Sequence, residues 1–309
     1  MKSPFTIGPM ITKPEEFIGR KAEVNHIITR LRTMQSCSVI GERRIGKSSL
    51  LYYVTQTGGQ WLSDENYRFL YLALTDACTH TVVDFLRTIL AALNCPTDGI
   101  KDDNKLSRNL IAFDHEIKVL AEIGERIVLC LDEFEGLFEN AEEFNTAFFN
   151  HLRTMVNHRR LALVTASKQA LEVYSLEKKL TSPFFNLLSI TELGNFTEEE
   201  AIHFIAFHHA QVDFTEDELE FITSYLDPHP LKLQILCEQV LQNRERQWGD
   251  DVLLEEIAKV YGQFLDGKYE VKTLSRKFKG TITLTLISRV LGAMKATNEI
   301  NTKIERGWR

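Results

Sequence analysis

Short apolar runs rich in branched and aromatic residues recur along the first two thirds of the chain, at 37–40, 69–74, 127–131, 161–165 and 187–193. Each is too short for a helix and predicts a β-strand. Between them lie longer segments of helical period. Residues 79–93 set Val82, Phe85, Leu86, Ile89, Leu90 and Leu93 on one face, with Thr79 or Thr81 as the cap. Residues 106–123 and 144–156 read the same way, and 23–34 reads as a further helix. Strands alternating with helices are what βαβ units of a parallel sheet produce, so the pattern predicts an α/β fold with a central parallel sheet.

The alternation stops after Gly194. Residues 197–211, 215–226 and 230 to about 247 are helical in period, and the first two open on the capping-box spacing Thr-x-x-Glu at Thr197/Glu200 and Thr215/Glu218. A helical second unit is therefore expected from residue 195, giving a core over 1–194, a helical lid over 195–265 and a basic tail or partial third domain over 266–309. Residues 281–294 stay open between strand and helix, because Ile282, Leu284 and Leu286 alternate with threonines while Ile287, Val290, Leu291 and Met294 have helical spacing.

Composition narrows the class. At 309 residues and 44% apolar content the chain can bury one large core and a smaller second one. Its five cysteines are scattered without CxxC spacing, which argues against a disulfide framework or a zinc site and points to a reducing cytoplasm. The first thirty residues are broken by Pro4, Pro14, Glu15, Glu16 and Arg20 and make no signal-peptide core, and no window reaches the ~18 apolar residues of a membrane span. The net charge of −7 hides an asymmetry: residues 268–309 carry ten Lys or Arg against three Glu, a local +7 that leaves the rest at −14. An acidic body does not favour broad nucleic-acid binding, while the tail can meet an anionic surface or be a solvated terminus.

The strongest chemical signal is Gly41-Glu42-Arg43-Arg44-Ile45-Gly46-Lys47-Ser48, a full match to G-x-x-x-x-G-K-[S/T], placed after a predicted strand and before the helical run 49–54. Backbone N–H groups from Arg44 to Ser48 at a helix start suit a phosphate chain, Lys47 suits its β and γ oxygens, and Ser48 suits Mg²⁺. Arg43 and Arg44 either touch phosphate or a partner, or face solvent and pair with Glu42. Downstream, the apolar strand at 127–131 ends in Asp132-Glu133, which suits Mg²⁺ at Asp132 and an attacking water at Glu133. A third strand runs into Thr165-Ala166-Ser167-Lys168, where Thr165, Ser167 or Lys168 can sense the γ-phosphate or merely form a turn. These features predict an ATP or ADP site with Mg²⁺.

In this order the elements resemble the additional-strand P-loop ATPases, specifically the AAA+ and STAND group and its bacterial and archaeal AAA-like modules. Phe17-Ile18-Gly19-Arg20-Lys21-Ala22-Glu23 is similar to the F-[VI]-G-R-x-x-E box that closes over adenine there, and the cradle through Ser49-Leu50-Leu51, Asp132-Glu133-Phe134-Glu135 and Leu163-Val164-Thr165-Ala166-Ser167 also match. Leu193-Gly194-Asn195-Phe196-Thr197 resembles the entry to the lid, and Asp227-Pro228-His229-Pro230 its G-x-P motif, with Asp227 and Pro228 where glycines are usual. The resemblance covers about residues 11–245. It implies a three-layer P-loop core followed by an α-helical lid, nucleotide contacts from Phe17, Ile18, Gly19, Arg20, Gly41, Arg44 to Ser49, His229 and Pro230, and an arginine finger in trans, for which Arg153 is the candidate. The implied function is a slowly hydrolysing, nucleotide-controlled switch acting through a homo-oligomer or effector protein. The rival readings are a DNA-associated, initiator-like ATPase and a module tethered by its tail to anionic lipid or a partner protein. The chain is either a minimal member or a truncated one.

Overall fold

The computed structural model describes residues 3–63, 66–76, 79–102, 105–265, 274 and 287–293. The chain opens with a short 3₁₀ turn at Pro14–Glu16 and then alternates: α1 (Lys21–Leu31), β1 (Ser36–Ile40), α2 (Lys47–Leu62), β2 (Tyr67–Ala73), α3 (Val82–Ala92) and α4 (Leu106–Glu122). Next come β3 (Arg126–Asp132), α5 (Gly136–Glu139), α6 (Thr146–Asn157), β4 (Leu161–Ser167), α7 (Leu171–Glu177) and β5 (Leu188–Glu192). Helices α8 (Glu198–Val212), α9 (Glu216–Ser224), α10 (Pro230–Arg246) and α11 (Asp250–Phe264) follow without a strand among them.

Among the described residues the five strands run parallel in the order β2-β3-β4-β1-β5. β4 lies between the strand that leads into the glycine loop and the strand that ends in Asp132, which is the inserted strand of the additional-strand class. The buried strands divide their side chains by parity. On β3, Ile127, Leu129 and Leu131 join a cluster with α3, α4 and α6, while Val128 and Cys130 join a cluster with α1 and α2. Two helical layers on a twofold-alternating sheet give the three-layer core. Its first cluster is rich in phenylalanine, with Phe134, Phe138, Phe148, Phe149 and Phe184 all but fully buried. A third cluster is built by α8 to α11, and Phe5 and Ile18 from the start of the chain pack into it.

Local rules fix the helix starts. Thr81, not Thr79, caps α3 by accepting the Asp84 N–H, and both Thr-x-x-Glu boxes form with reciprocal bonds. Helix α2 runs eight residues beyond the end of its expected span 49–54 and passes through Gly58, whose β-carbon would come within 2.3 Å of the Phe69 ring. That glycine lowers helix propensity but lets β2 approach, so packing overrides the local signal. Helix α11 had no counterpart among the expected elements. Of the ambiguous stretch, residues 287–293 are helical, and the strand-like residues 281–286, with most of the basic tail, lie outside the described residues. Among the described residues no helix is long and apolar enough to cross a membrane.

Candidate functional site

In a parallel sheet every strand ends on the same edge, and crevices open outside those carboxyl ends where the strand order reverses. Here β1 hands the chain to α2 through the loop Gly41–Ser48. Arg44 at φ 67° and Gly46 at φ 104° turn the loop back on itself, Gly46 standing in the N-cap position of α2. Gly41 is needed for a different reason. A β-carbon there would lie 2.5 Å from the Leu193 carbonyl oxygen at the end of β5.

Lys47 Nζ bridges the loop, donating to the Gly41 and Glu42 carbonyl oxygens at 2.8 Å each. Burial pulls its ammonium below the ordinary lysine range, and the carboxylates of Glu135, Asp132 and Glu133 oppose that shift while Lys168 adds to it. Asp132 ends β3 and is 4% exposed. Its Oδ1 accepts the Glu133 N–H at 3.0 Å and its Oδ2 accepts the Tyr71 O–H at 2.8 Å. Burial, then the Asp132 charge, push the Tyr71 hydroxyl well above the tyrosine range. Glu133 is exposed and sits at φ 51°, because the next residue turns back to give its N–H to the Ala166 carbonyl on β4 at 2.9 Å.

These groups face one cavity of about 410 Å³. It is walled by Lys47, Ser48, Asp132 and Glu133, by Ser167 and Lys168 at the end of β4, and by Pro230 and Leu231 of α10. The size suits a nucleotide-scale ligand. Near its polar end the Ser48 hydroxyl and the Asp132 carboxylate are hard oxygen donors that suit Mg²⁺, and the Lys47 ammonium suits a phosphate chain beside it. No cluster of three His, Cys, Asp or Glu that could hold a metal alone occurs among the described residues.

At the opposite end, Phe17 stacks on Tyr53 of α2 with centroids 4.4 Å apart, and Ile18 is buried. Gly19, at φ 77°, lies against the Glu200 side chain of α8. Arg20 is 3% exposed, and its guanidinium donates to the carbonyls of Gly194 at 2.6 Å, Ile45 at 3.2 Å and Asn195 at 3.5 Å, with the Phe196 ring 4.8 Å from its charge centre. Its backbone N–H donates to Glu200 Oε1. Burial lowers the guanidinium pKa, and Glu23 and Glu200 partly offset it. One arginine thus ties the box before α1 to the P loop and to the entry of the lid.

Not every expected residue reaches the cavity. His229 is 5% exposed and lies outside the wall: its Nδ1 accepts the Leu231 N–H at 3.2 Å, so it works as the cap of α10 while the following Pro230 faces the cavity. Thr165 is fully buried in mid-strand, in register with Ser38 and Leu131, and does not line the cavity. Ser167, two residues on, lines it and donates its hydroxyl to the Gln169 carbonyl at 2.7 Å. Arg153 on α6 is half-buried, away from this cavity, with its Nε unpartnered. Arg44 lines the cavity but hydrogen-bonds the Gly8 carbonyl instead of Glu42.

Two contributors to the cavity have no role assigned from the sequence. Residues 6–11 form a strap across the cavity, the Thr6 N–H donating to Gln234 Oε1 of α10 at 2.8 Å and the Ile11 N–H to Ser49 Oγ of α2 at 3.0 Å. The Gly8-Pro9 pair is the only local sign of it, and that reads as an ordinary turn. Glu135 also lines the cavity; burial pushes its carboxyl up, the charges of Lys168 and Lys47 hold it down, and its Oε2 has no hydrogen-bond partner.

Comparison with known proteins agrees with this architecture. The family model described as bacterial TniB protein matches residues 21–187, from the start of α1 to the edge of β5. No curated protein matches the sequence. Among solved structures, a Walker-type ATPase of Pyrococcus abyssi aligns at TM-score 0.60 and 16% identity over 84% of this chain and 77% of that one. The Aeropyrum pernix ORC2 protein, solved as ADPNP-ADP complexes, aligns at 0.56 and 14%, covering 84% and 71%. The ORC1 protein of the same organism, solved in complex with DNA, aligns at 0.54 and 13%, covering 80% and 65%. At these identities the likeness is one of fold, and the fold is an α/β P-loop core followed by a helical lid.

Proposed function

The chain belongs to the bacterial TniB family, and from that premise we propose that it is an ATP-binding, slowly hydrolysing AAA+-like switch of the STAND kind, cytoplasmic, in which ATP with Mg²⁺ governs the packing of the lid on the core. The observation that carries this reading is the shared cavity: the P loop, the end of β3 and the first turn of α10 all line it. A ligand spanning it binds the core and the lid together, so its affinity depends on their arrangement.

In this reading Lys47 leaves the Gly41 and Glu42 carbonyls and donates to the β and γ oxygens. Ser48 and Asp132 would hold the metal, and Mg²⁺ bound there would neutralise phosphate charge. Glu133, exposed at the strand end, accepts a proton from the attacking water and fixes its line of approach. Ser167 and Lys168 are the groups placed to sense the γ-phosphate. Phe17, Ile18, Gly19 and Arg20 close the adenine side, and the chain hinges near 194/195. Arg153 serves as a finger only from a neighbouring copy in a homo-oligomer.

The test compares wild type with Glu133→Gln, both loaded with ATP and Mg²⁺, following phosphate release and amide exchange in α8 and α10. The variant is expected to bind ATP as tightly as wild type and release phosphate about 100-fold more slowly, with lid protection that persists in the variant and decays in wild type. Equal turnover by both sinks the role of Glu133. Identical lid exchange with and without ATP sinks the switch.

A second reading, association with duplex DNA, draws support from the ten Lys or Arg of residues 268–309 and from the fold shared with a protein solved in complex with DNA. It requires binding that weakens steeply with salt and is lost when 268–309 are removed.

A further inference from the structure

Asp132 is the single carboxylate assigned to the metal, so its direction matters more than in a site with several. It hangs on the last residue of β3, where a side chain with two free rotors would swing. The strand beside it prevents this. In the β2–β3 register Ala73 lies opposite Asp132, which leaves a small residue where a bulky one would crowd the carboxylate. Tyr71, two residues before Ala73 and on the same face, is its diagonal neighbour across the parallel pair. The Tyr71 hydroxyl spans that diagonal and donates to Oδ2 at 2.8 Å, while the Glu133 N–H takes Oδ1 at 3.0 Å. Two donors on two different oxygens fix both the rotation and the plane of the carboxylate.

Tyr71 is itself held. The Tyr52 ring meets it edge-on, with centroids 5.6 Å apart and planes at 75°. Tyr52 lies on α2, the helix that begins at Lys47 and Ser48. The contact therefore sets Asp132 relative to the same helix that carries the second oxygen donor. A phenylalanine would keep the ring contact and lose the hydrogen bond, and a serine or threonine would not span the diagonal.

We propose that Tyr71 is a positioning residue for Mg²⁺: its O–H holds Asp132 so that the remaining lone pairs face the cavity beside Ser48. The inference rests on the nucleotide reading of the site. Groups that orient a metal ligand in this way change metal affinity by about 10- to 100-fold when removed.

The experiment measures binding of a fluorescent ATP analogue, in EDTA and across a Mg²⁺ titration, for wild type, Tyr71→Phe, Asp132→Asn and the double variant. Tyr71→Phe is expected to match wild type in EDTA to within about twofold and to need about tenfold more Mg²⁺ for half-saturation. In the Asp132→Asn background the second substitution is expected to change nothing, since Tyr71 acts through that carboxylate. A Tyr71→Phe half-saturation equal to wild type, an equal loss in EDTA and in Mg²⁺, or a Tyr71 effect that persists without Asp132 would each overturn the proposal. Wild type that binds the analogue with no dependence on Mg²⁺ would overturn the metal reading of Asp132, and the proposal with it.

Discussion

The two ends of the cavity are built by different means. At the P-loop end, Gly41 to Ser48 is one continuous stretch, and Lys47 bonds carbonyls only six and five residues away. At the strap end the bonds join distant parts of the chain: Thr6 to Gln234, Arg20 to Gly194, and the Arg20 N–H to Glu200. The first end takes its turn from local bonds and positive φ angles, and distant groups only brace it, Arg20 at Ile45 and Gly8 at Arg44. The second exists only when the start of the chain, the core and the lid have all come together. Damage should therefore appear as lost affinity at one end and lost stability at the other.

The largest expected effect follows from Arg20→Ala. Three carbonyl acceptors lose a charged donor, and hydrogen bonds to charged groups contribute about 1.5–3 kcal/mol each before relaxation. Denaturant unfolding of the nucleotide-free protein should show a loss of about 3–4 kcal/mol, and a loss below about 1 kcal/mol would mean that the strap end is not held by this side chain. Lys47→Ala gives the mirror result. It should lower nucleotide affinity by about 100-fold, the equivalent of one or two charge-assisted bonds, while unfolding free energy falls by less than for Arg20→Ala, because water can replace the ammonium at its two less buried carbonyls. A Lys47 variant that binds ATP normally would remove the contrast altogether.

The smallest effect is one of pH and belongs to the strap end alone. His208 is 5% exposed, stacked by Phe5 at 4.6 Å, and its ring nitrogen Nδ1 lies 2.9 Å from the Phe204 carbonyl. Burial lowers its pKa to about 4 against an unperturbed 6.5. Between those values the unfolded chain binds the proton and the folded chain does not, so stability is complete above pH 6.5 and declines as pH falls toward 4. The decline should be about 2 kcal/mol between pH 7 and pH 5, and His208→Phe should flatten it. Equal pH slopes for the two proteins would show that His208 is not buried neutral.

The same contrast explains what could be read from the sequence. The five strands, the loop Gly41–Ser48, the acidic end of the strand at Asp132, both capping boxes and the switch to helices after β5 all rest on periodicity or local spacing. What was missed rests on tertiary contact. The strap over residues 6–11 has no periodic signal, because its role lies in backbone groups that any sequence carries. Thr165 and Ser167 share a strand and a face, yet only Ser167 reaches the cavity, and where a strand leaves its sheet is set by its neighbours. His229 sits one residue from the cavity wall, and the role of cap removed it from the surface that its neighbour Pro230 supplies. Glu135, named only as part of the stretch from Asp132, had no role assigned because its significance comes from two lysines, Lys47 and Lys168, that lie far from it in sequence.

The parity of the sheet has one more consequence, in thiol chemistry. Because Cys130 falls on the even side of β3 it is sealed beneath α2 with Cys37, and burial pushes both thiols up to about 12. Cys237 in the lid is shifted in the same direction by burial alone. At neutral pH about one such thiol in 100,000 is the reactive thiolate. An alkylating dye offered to a cysteine placed on the strap would therefore find it long before these three, and of the chain's own five cysteines only the half-buried Cys95, and Cys78, which lies outside the described residues, need replacing first.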